Sequence, residues 1–322
     1  MLARVAENLY WISRYIERAE NVARLLDVGF YLELDATGLS GPGADVGPID
    51  GVLTILACRE SFGRAHGPGE PDPEAVLRFL TFERQNPHSI LSMLGRAREN
   101  ARGSQETLSG EAWSQLNKLY LYMNGRKAQR RFEASPSRFL DGIKRSCILF
   151  AGLVDGTLPR TEVYHFLQLG RYLERANQVA RTLNIRLHGL GDGGPPDEAP
   201  LRAVHWSSLL RSCSAYEAYL REHHDRVDPE GVIQYLVLDV DFPRAVRFCV
   251  ARCCESLRAI AGSAGDDDDL TEAERRLGRL DSELRFIDVE EIFSQGLSKF
   301  LTGVQASCNR IGDEVHQAYF FT

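Results

Sequence analysis

The sequence predicts an all-α, internally duplicated multi-helix bundle, with about six helices per half. Three observations carry that expectation. Residues 14–26 (RYIERAENVARLL) and 171–183 (RYLERANQVARTL) are nearly one helix written twice. Two further blocks recur in the same order: LRFLTFERQNPHSI (77–90) with IQYLVLDVDFPRAV (233–246), and FLDGIKRSC (139–147) with FLTGVQASC (300–308). Apolar residues return at helical steps nearly throughout, while period-two alternation of β-branched residues is scarce. Collinear repeats of this length set the architecture before any single element does.

The elements follow in chain order. In the first long helix Ile12, Tyr15, Ile16, Ala19, Val22, Ala23 and Leu26 form one apolar stripe. The Gly/Pro-rich segment 36–48 cannot continue it and is expected to be exposed and mobile. A second break, 63–73, precedes a helix at EAVLRFLTFE (74–83), and Asn86-Pro87 is expected to start the next, because proline tolerates the first helical position. In the second half Leu169, Tyr172, Leu173, Ala176, Val179, Ala180 and Leu183 repeat the stripe, and 188–200 repeats the linker. GVIQYLVLDV (231–240) is the best strand candidate, but its counterpart 74–83 is plainly helical, so both read as short helices. Phe242-Pro243 mirrors Asn86-Pro87, and 262–271 is an acidic turn. The expected organisation is one domain over 1–322, built from repeats at 1–155 and 160–322. Its two Glu-Arg helices would bury their stripes against each other near a pseudo-twofold axis.

Bulk properties narrow the function classes. The chain has 322 residues, 43% hydrophobic and 26% charged, with a net charge of −7. That balance suits a soluble globular protein and disfavours nucleic acid as the main partner, since phosphate backbones need clustered basic surface. No apolar run approaches the ~20 residues that span a bilayer, and Arg4 and Glu7 interrupt any signal-peptide layout. A cytoplasmic location is the expectation. The seven cysteines lack paired metal spacing and read as small buried hydrophobes. Glu162-x-x-His165 has the spacing of a di-iron helix, but its counterparts are Val5 and Asn8, so no metal or other cofactor is expected. There is no Gly-rich phosphate loop and no nucleophile elbow. The basic run GRKAQRR (125–131) reads as a solvated face or a dock for an acidic partner.

The polar side of the repeated helix is the candidate site. Arg14, Glu17, Arg18 and Arg24 recur as Arg171, Glu174, Arg175 and Arg181. A solvated face does not require such repetition, so this side should meet something fixed. One reading is a buried ion network that locks the helices and sets register. The other is an arginine site for a carboxylate or phosphate, with Glu17 and Glu174 holding the guanidinium groups. Arg18 and Arg175, at the flank, are expected to be best placed to reach a ligand. A carboxylate ringed by arginines is a poor general base at neutral pH, so no catalytic residue is assigned.

LARVAENLYWISRYIERAENVARLLDV (2–28) strongly resembles the signature that opens the alpha-E family of bacterial, all-helical proteins. The resemblance continues through Asn86-Pro87-His88-Ser89-Ile90 and FLQLGRYLERA (166–176) and runs over essentially the whole chain. Ala245 stands where the first half has Ser89, a departure in the second half. The resemblance implies a partner: a circularly permuted ATP-grasp protein, often beside a transglutaminase-like peptidase. Because ATP-grasp enzymes form amide bonds through acyl-phosphates, it implies a part in making or modifying peptide-type bonds. That part is expected to be an accessory or substrate-binding subunit. The alternatives are an enzyme in its own right, using the Arg/Glu cluster on an activated carboxylate, and a purely structural interaction protein.

Overall fold

A computed structural model describes residues 1–39, 48–67, 69–188, 199–223, 227–262 and 270–321. Among these residues every regular element is helical. The first series is α1 (Ala3–Leu39), α2 (Pro48–Ile55), α3 (Arg59–His66), α4 (Pro73–Phe82), α5 (Ile90–Arg102), α6 (Gly110–Met123), α7 (Arg126–Ala134) and α8 (Pro136–Thr157). The second is α9 (Glu162–His188), α10 (Ala199–Ser212), α11 (Tyr216–His223), α12 (Pro229–Ile233), α13 (Val246–Ala261), α14 (Glu272–Phe286), α15 (Val289–Ser294) and α16 (Leu297–Tyr319). Each series therefore holds eight helices rather than about six. The added breaks are short turns with little sequence signature, such as the one at Ala57, where a non-glycine residue takes a left-handed conformation. The linker expectations at 36–48 and 188–200 fall largely on 40–47 and 189–198, outside the described residues.

Local chemistry explains several helix starts. Asp72 and Asp228 each precede a proline and accept a hydrogen bond at 2.9 Å, from the Ala75 and Gly231 amides respectively. That arrangement satisfies an orphan donor and uses proline where no N–H is needed. Thr271 and Glu274 form a reciprocal capping box on α14. Residues 234–238, inside the strand candidate, continue α12 as one π-helical turn. The prolines of the repeat behave differently from expectation. Pro87 and Pro243 lie in the turns before α5 and α13, which begin at Ile90 and Val246. Asn86 accounts for the first: its side chain donates to the Phe79 carbonyl (3.2 Å) and accepts from the His88 amide (3.0 Å), closing a turn that delays the helix.

The chain forms two compact units, Met1–Arg14 with Pro159–Thr322, and Tyr15–Leu158. In the first unit α9 packs on α13 and α16, and α14 on the same two helices. Its core holds Leu9, Ile12, Leu169, Leu173, Ala176, Leu277 and Val304, all buried. The start of α1 approaches α9 so closely that a Cβ on Gly170 would lie 2.2 Å from the Tyr10 carbonyl oxygen. Only glycine permits that contact. In the second unit α6 packs on α5 and α8, α7 on α8, and α4 on α5. Phe82, Phe132 and Phe139 meet there edge-on or tilted, with centroids 5.2–5.6 Å apart.

Candidate functional site

The first unit carries one half of the Glu-Arg pattern as a buried cluster. Arg14 donates from Nε to Glu174 Oε2 and from Nη1 to Tyr10 Oη, both at 2.8 Å. Gln178 Nε2 donates to the other oxygen of Glu174 at 2.8 Å. Arg14 is 7% exposed and Glu174 0%. The sequence makes this possible by spacing: Glu174 and Gln178 lie one turn apart on α9, as do Tyr10 and Arg14 on α1. Gly312 on α16 leaves room for the guanidinium, since a Cβ there would stand 3.3 Å from Arg14 Nη1. Burial works against the charge on Arg14, yet its attraction to Tyr10 and Glu174 prevails and raises its pKa. Burial likewise pushes the neighbouring Cys308 thiol up to about 12 and Cys253 well above the ordinary range, so both stay neutral.

Arg175 does not face outward as its flank position suggested. It is buried and donates from Nη1 to the Pro243 carbonyl at 3.1 Å, tying α9 to the turn before α13. Arg171 is half-buried with its guanidinium carbon 5.3 Å from the Tyr172 ring centre, and Arg181 is half-buried.

In the second unit Glu17, Glu20, Asn21 and Arg24 are all buried on α1. Arg24 forms an ion pair with Glu20, one turn away. Below them Asp27 accepts from Lys144 Nζ (2.6 Å) and Ser137 Oγ (2.8 Å), which fixes α1 to α8. Burial, reinforced by Glu17 and opposed by Arg24, pushes the Cys147 thiol up to about 12. Arg18 is half-buried. Glu17, Glu20, Asn21 and Arg24 thus lie inside the unit, with Arg24 paired to Glu20 along α1 and Asp27 to Lys144 across to α8; buried pairs of this kind can fix the register of packed helices.

Sequence reasoning missed the open feature of the second unit. A cleft of about 460 Å³ is lined by Tyr15, Arg84, Pro87, Ser92, Arg96 and Tyr120, among others. Pro87 of the Asn-Pro-x-Ser-Ile segment lies in this lining. Ser89 caps α5 by accepting from the Ser92 amide (3.2 Å) and also donates to Ser92 Oγ (2.9 Å). Arg84 donates to the Asn124 side-chain oxygen, and Arg96 lies with its guanidinium carbon 5.8 Å from the Tyr15 ring centre. The signal available in sequence was Tyr15, which belongs to the repeated motif, together with Arg96. Nothing in the sequence indicated that α1, α5 and α6 leave a gap where they face one another. Among the described residues no group of three or more His, Cys, Asp or Glu could hold a metal ion, and no helix is long and apolar enough to cross a membrane.

Comparison with known proteins places these features in a wider group. The family model Alpha-E, described as a predicted alpha-helical domain with a conserved ER motif, matches residues 1–320. The uncharacterized proteins Mb2597 of Mycobacterium bovis and Rv2567 of Mycobacterium tuberculosis are each 22% identical over 334 residues, covering 96% of this chain. The chain spans about a third of those relatives' length, 36% in each case. No solved structure matches.

Proposed function

The chain belongs to the Alpha-E family, and from that premise we propose that it is an accessory or substrate-binding subunit for a circularly permuted ATP-grasp ligase, acting in the formation or modification of peptide-type bonds. The observation that carries this reading is the burial of the Glu-Arg cluster. Glu174 is 0% exposed and accepts from both Arg14 and Gln178. A carboxylate so enclosed has no route to a substrate proton, which disfavours an enzyme built on that cluster. The chemistry then falls to a partner, and this chain supplies a frame and a binding surface. The length of the mycobacterial relatives is compatible, because there a segment like this one is part of a longer chain. The reading implies a compartment that holds ATP, the cytoplasm. Co-purification of this chain with the ATP-grasp protein tests it: a stable complex is expected, and absence of any association contradicts it.

The frame itself is proposed to be a duplication, with repeats at 1–155 and 160–322. Helix order supports it, because α1 to α8 and α9 to α16 run in the same sequence of long, short and long elements. So does a backbone detail. Ala57 and Ser214, the two non-glycine residues with positive φ among those described, take φ 53° and 52°. They are separated along the chain by the same interval as Glu17 and Glu174. Each turn is closed alike: the Cys58 amide donates to Leu53 and the Ala215 amide to Leu210, both at 2.8 Å. A left-handed conformation is costly for these side chains, so its recurrence at matched places is hard to obtain by chance.

A further inference from the structure

We propose that the cleft between α1, α5 and α6 in the second unit binds a carboxylate-bearing small ligand, and that the free C-terminus of a short peptide is the form it fits. The site stands without the ligase, and its test needs this chain alone.

Charge is the first argument. Among the described residues neither Arg84 nor Arg96 forms an ion pair with a carboxylate; Arg84 meets the Asn124 amide oxygen and Arg96 the Tyr15 ring. Glu99, the acidic residue in the lining, is already bridged by Arg98 at 2.7 Å and Arg102 at 2.9 Å. It therefore does not cancel the two lining arginines. The cleft presents uncompensated positive charge on a chain whose net charge is −7.

Orientation is the second. The Asn124 side-chain oxygen accepts from Arg84, and the Tyr15 ring lies beside Arg96. A planar guanidinium held in this way loses less freedom when it takes a carboxylate through two parallel hydrogen bonds. The rest of the lining suits a peptide end: Gln85 and Asn100 offer carboxamides, while Pro87 and Leu91 offer apolar surface for a short side chain. The volume of about 460 Å³ is that of a small-ligand site. Phosphate is less well matched, because the lining contains neither a lysine nor a glycine-rich loop to cradle it.

The proposed second repeat gives a contrast. Aligned on Pro87 and Pro243, Ser92 corresponds to Phe248 and Gly95 to Ala251. Phe248 packs on Tyr172 with ring centres 6.0 Å apart, and Arg252 lies over it at 5.0 Å. In the aligned sequence a half-buried aromatic ring therefore stands where the cleft has the small Ser92.

Calorimetric titration of the purified chain tests this with three probes: N-acetyl-alanyl-alanine as the free acid, the same dipeptide as its C-terminal amide, and inorganic phosphate. The free acid is expected to bind saturably, and the amide about tenfold more weakly, a factor in keeping with one lost charge-assisted pair. Arg84→Ala and Arg96→Ala should each weaken the free acid about tenfold with unchanged thermal unfolding, because both side chains are exposed. Arg145→Ala, which removes an exposed arginine paired with Asp141 on α8, should bind as wild type. The proposal is overturned by absence of saturable binding of the acid, by equal binding of acid and amide, or by unchanged affinity in Arg96→Ala. Tighter binding of phosphate than of the acid overturns it as well.

Discussion

Glu174 shows what a single residue does in this protein. It accepts from Arg14 across two helices and from Gln178 along its own. Glu174→Gln would leave the buried Arg14 guanidinium without its counter-charge, and loss of one partner of a buried pair costs about 3–5 kcal/mol. Chemical denaturation should read that loss, and a variant as stable as wild type would place the pair in solvent. The cysteines give a pH dependence. Burial holds the Cys147, Cys254 and Cys308 thiols up to about 12 in the folded chain, against 9.0 for a free thiol. A raised folded pKa means that the stabilisation is complete below the unfolded value and is lost as pH rises towards the folded one. Stability should therefore fall between about pH 9 and pH 12, and thiol alkylation at neutral pH should require unfolding. Rapid labelling of the native protein would contradict this. The repeated charges were legible in the sequence, but their partners were not. Helical spacing shows that Arg14 lies near Glu17, while only the approach of α9, permitted by Gly170, brings Glu174 to it.

At the level of elements, the starts of α5 and α13 are built differently. Ser89 caps α5 with its hydroxyl, whereas the Ala245 methyl group has no acceptor to cap α13. Ser89→Ala should cost about 1 kcal/mol, the usual value of an N-cap hydroxyl; urea unfolding would read it, and no change would mean that Ser89 leaves that terminus as it found it. The apolar stripes of α1 and α9 were readable from period alone, whereas the Asp72 and Asp228 caps of α4 and α12 come from the structure. Helix boundaries at Pro87 and Pro243 were not readable either. Proline fixes its own φ, but the Asn86 side chain at the first and the Asp239 carboxylate at the second close the turn that delays the helix. The cleft was illegible for a related reason. Its walls come from α1, α5, α6 and the turn before α5, and a gap between elements is a property of packing rather than of any one stripe.

For the whole molecule the proposed role is that of a helical frame, with Glu17, Arg24, Glu174 and Arg175 buried, that assists chemistry carried out by a partner. An accessory subunit should leave ATP turnover to the ligase and change how well the ligase uses its substrate. The direct measurement is ATP-dependent amide formation by the circularly permuted ATP-grasp protein alone, by this chain alone, and by the two together. The account predicts no amide from this chain alone and a faster reaction from the pair than from the ATP-grasp protein by itself. Amide formation by this chain alone, or equal rates with and without it, would contradict the account.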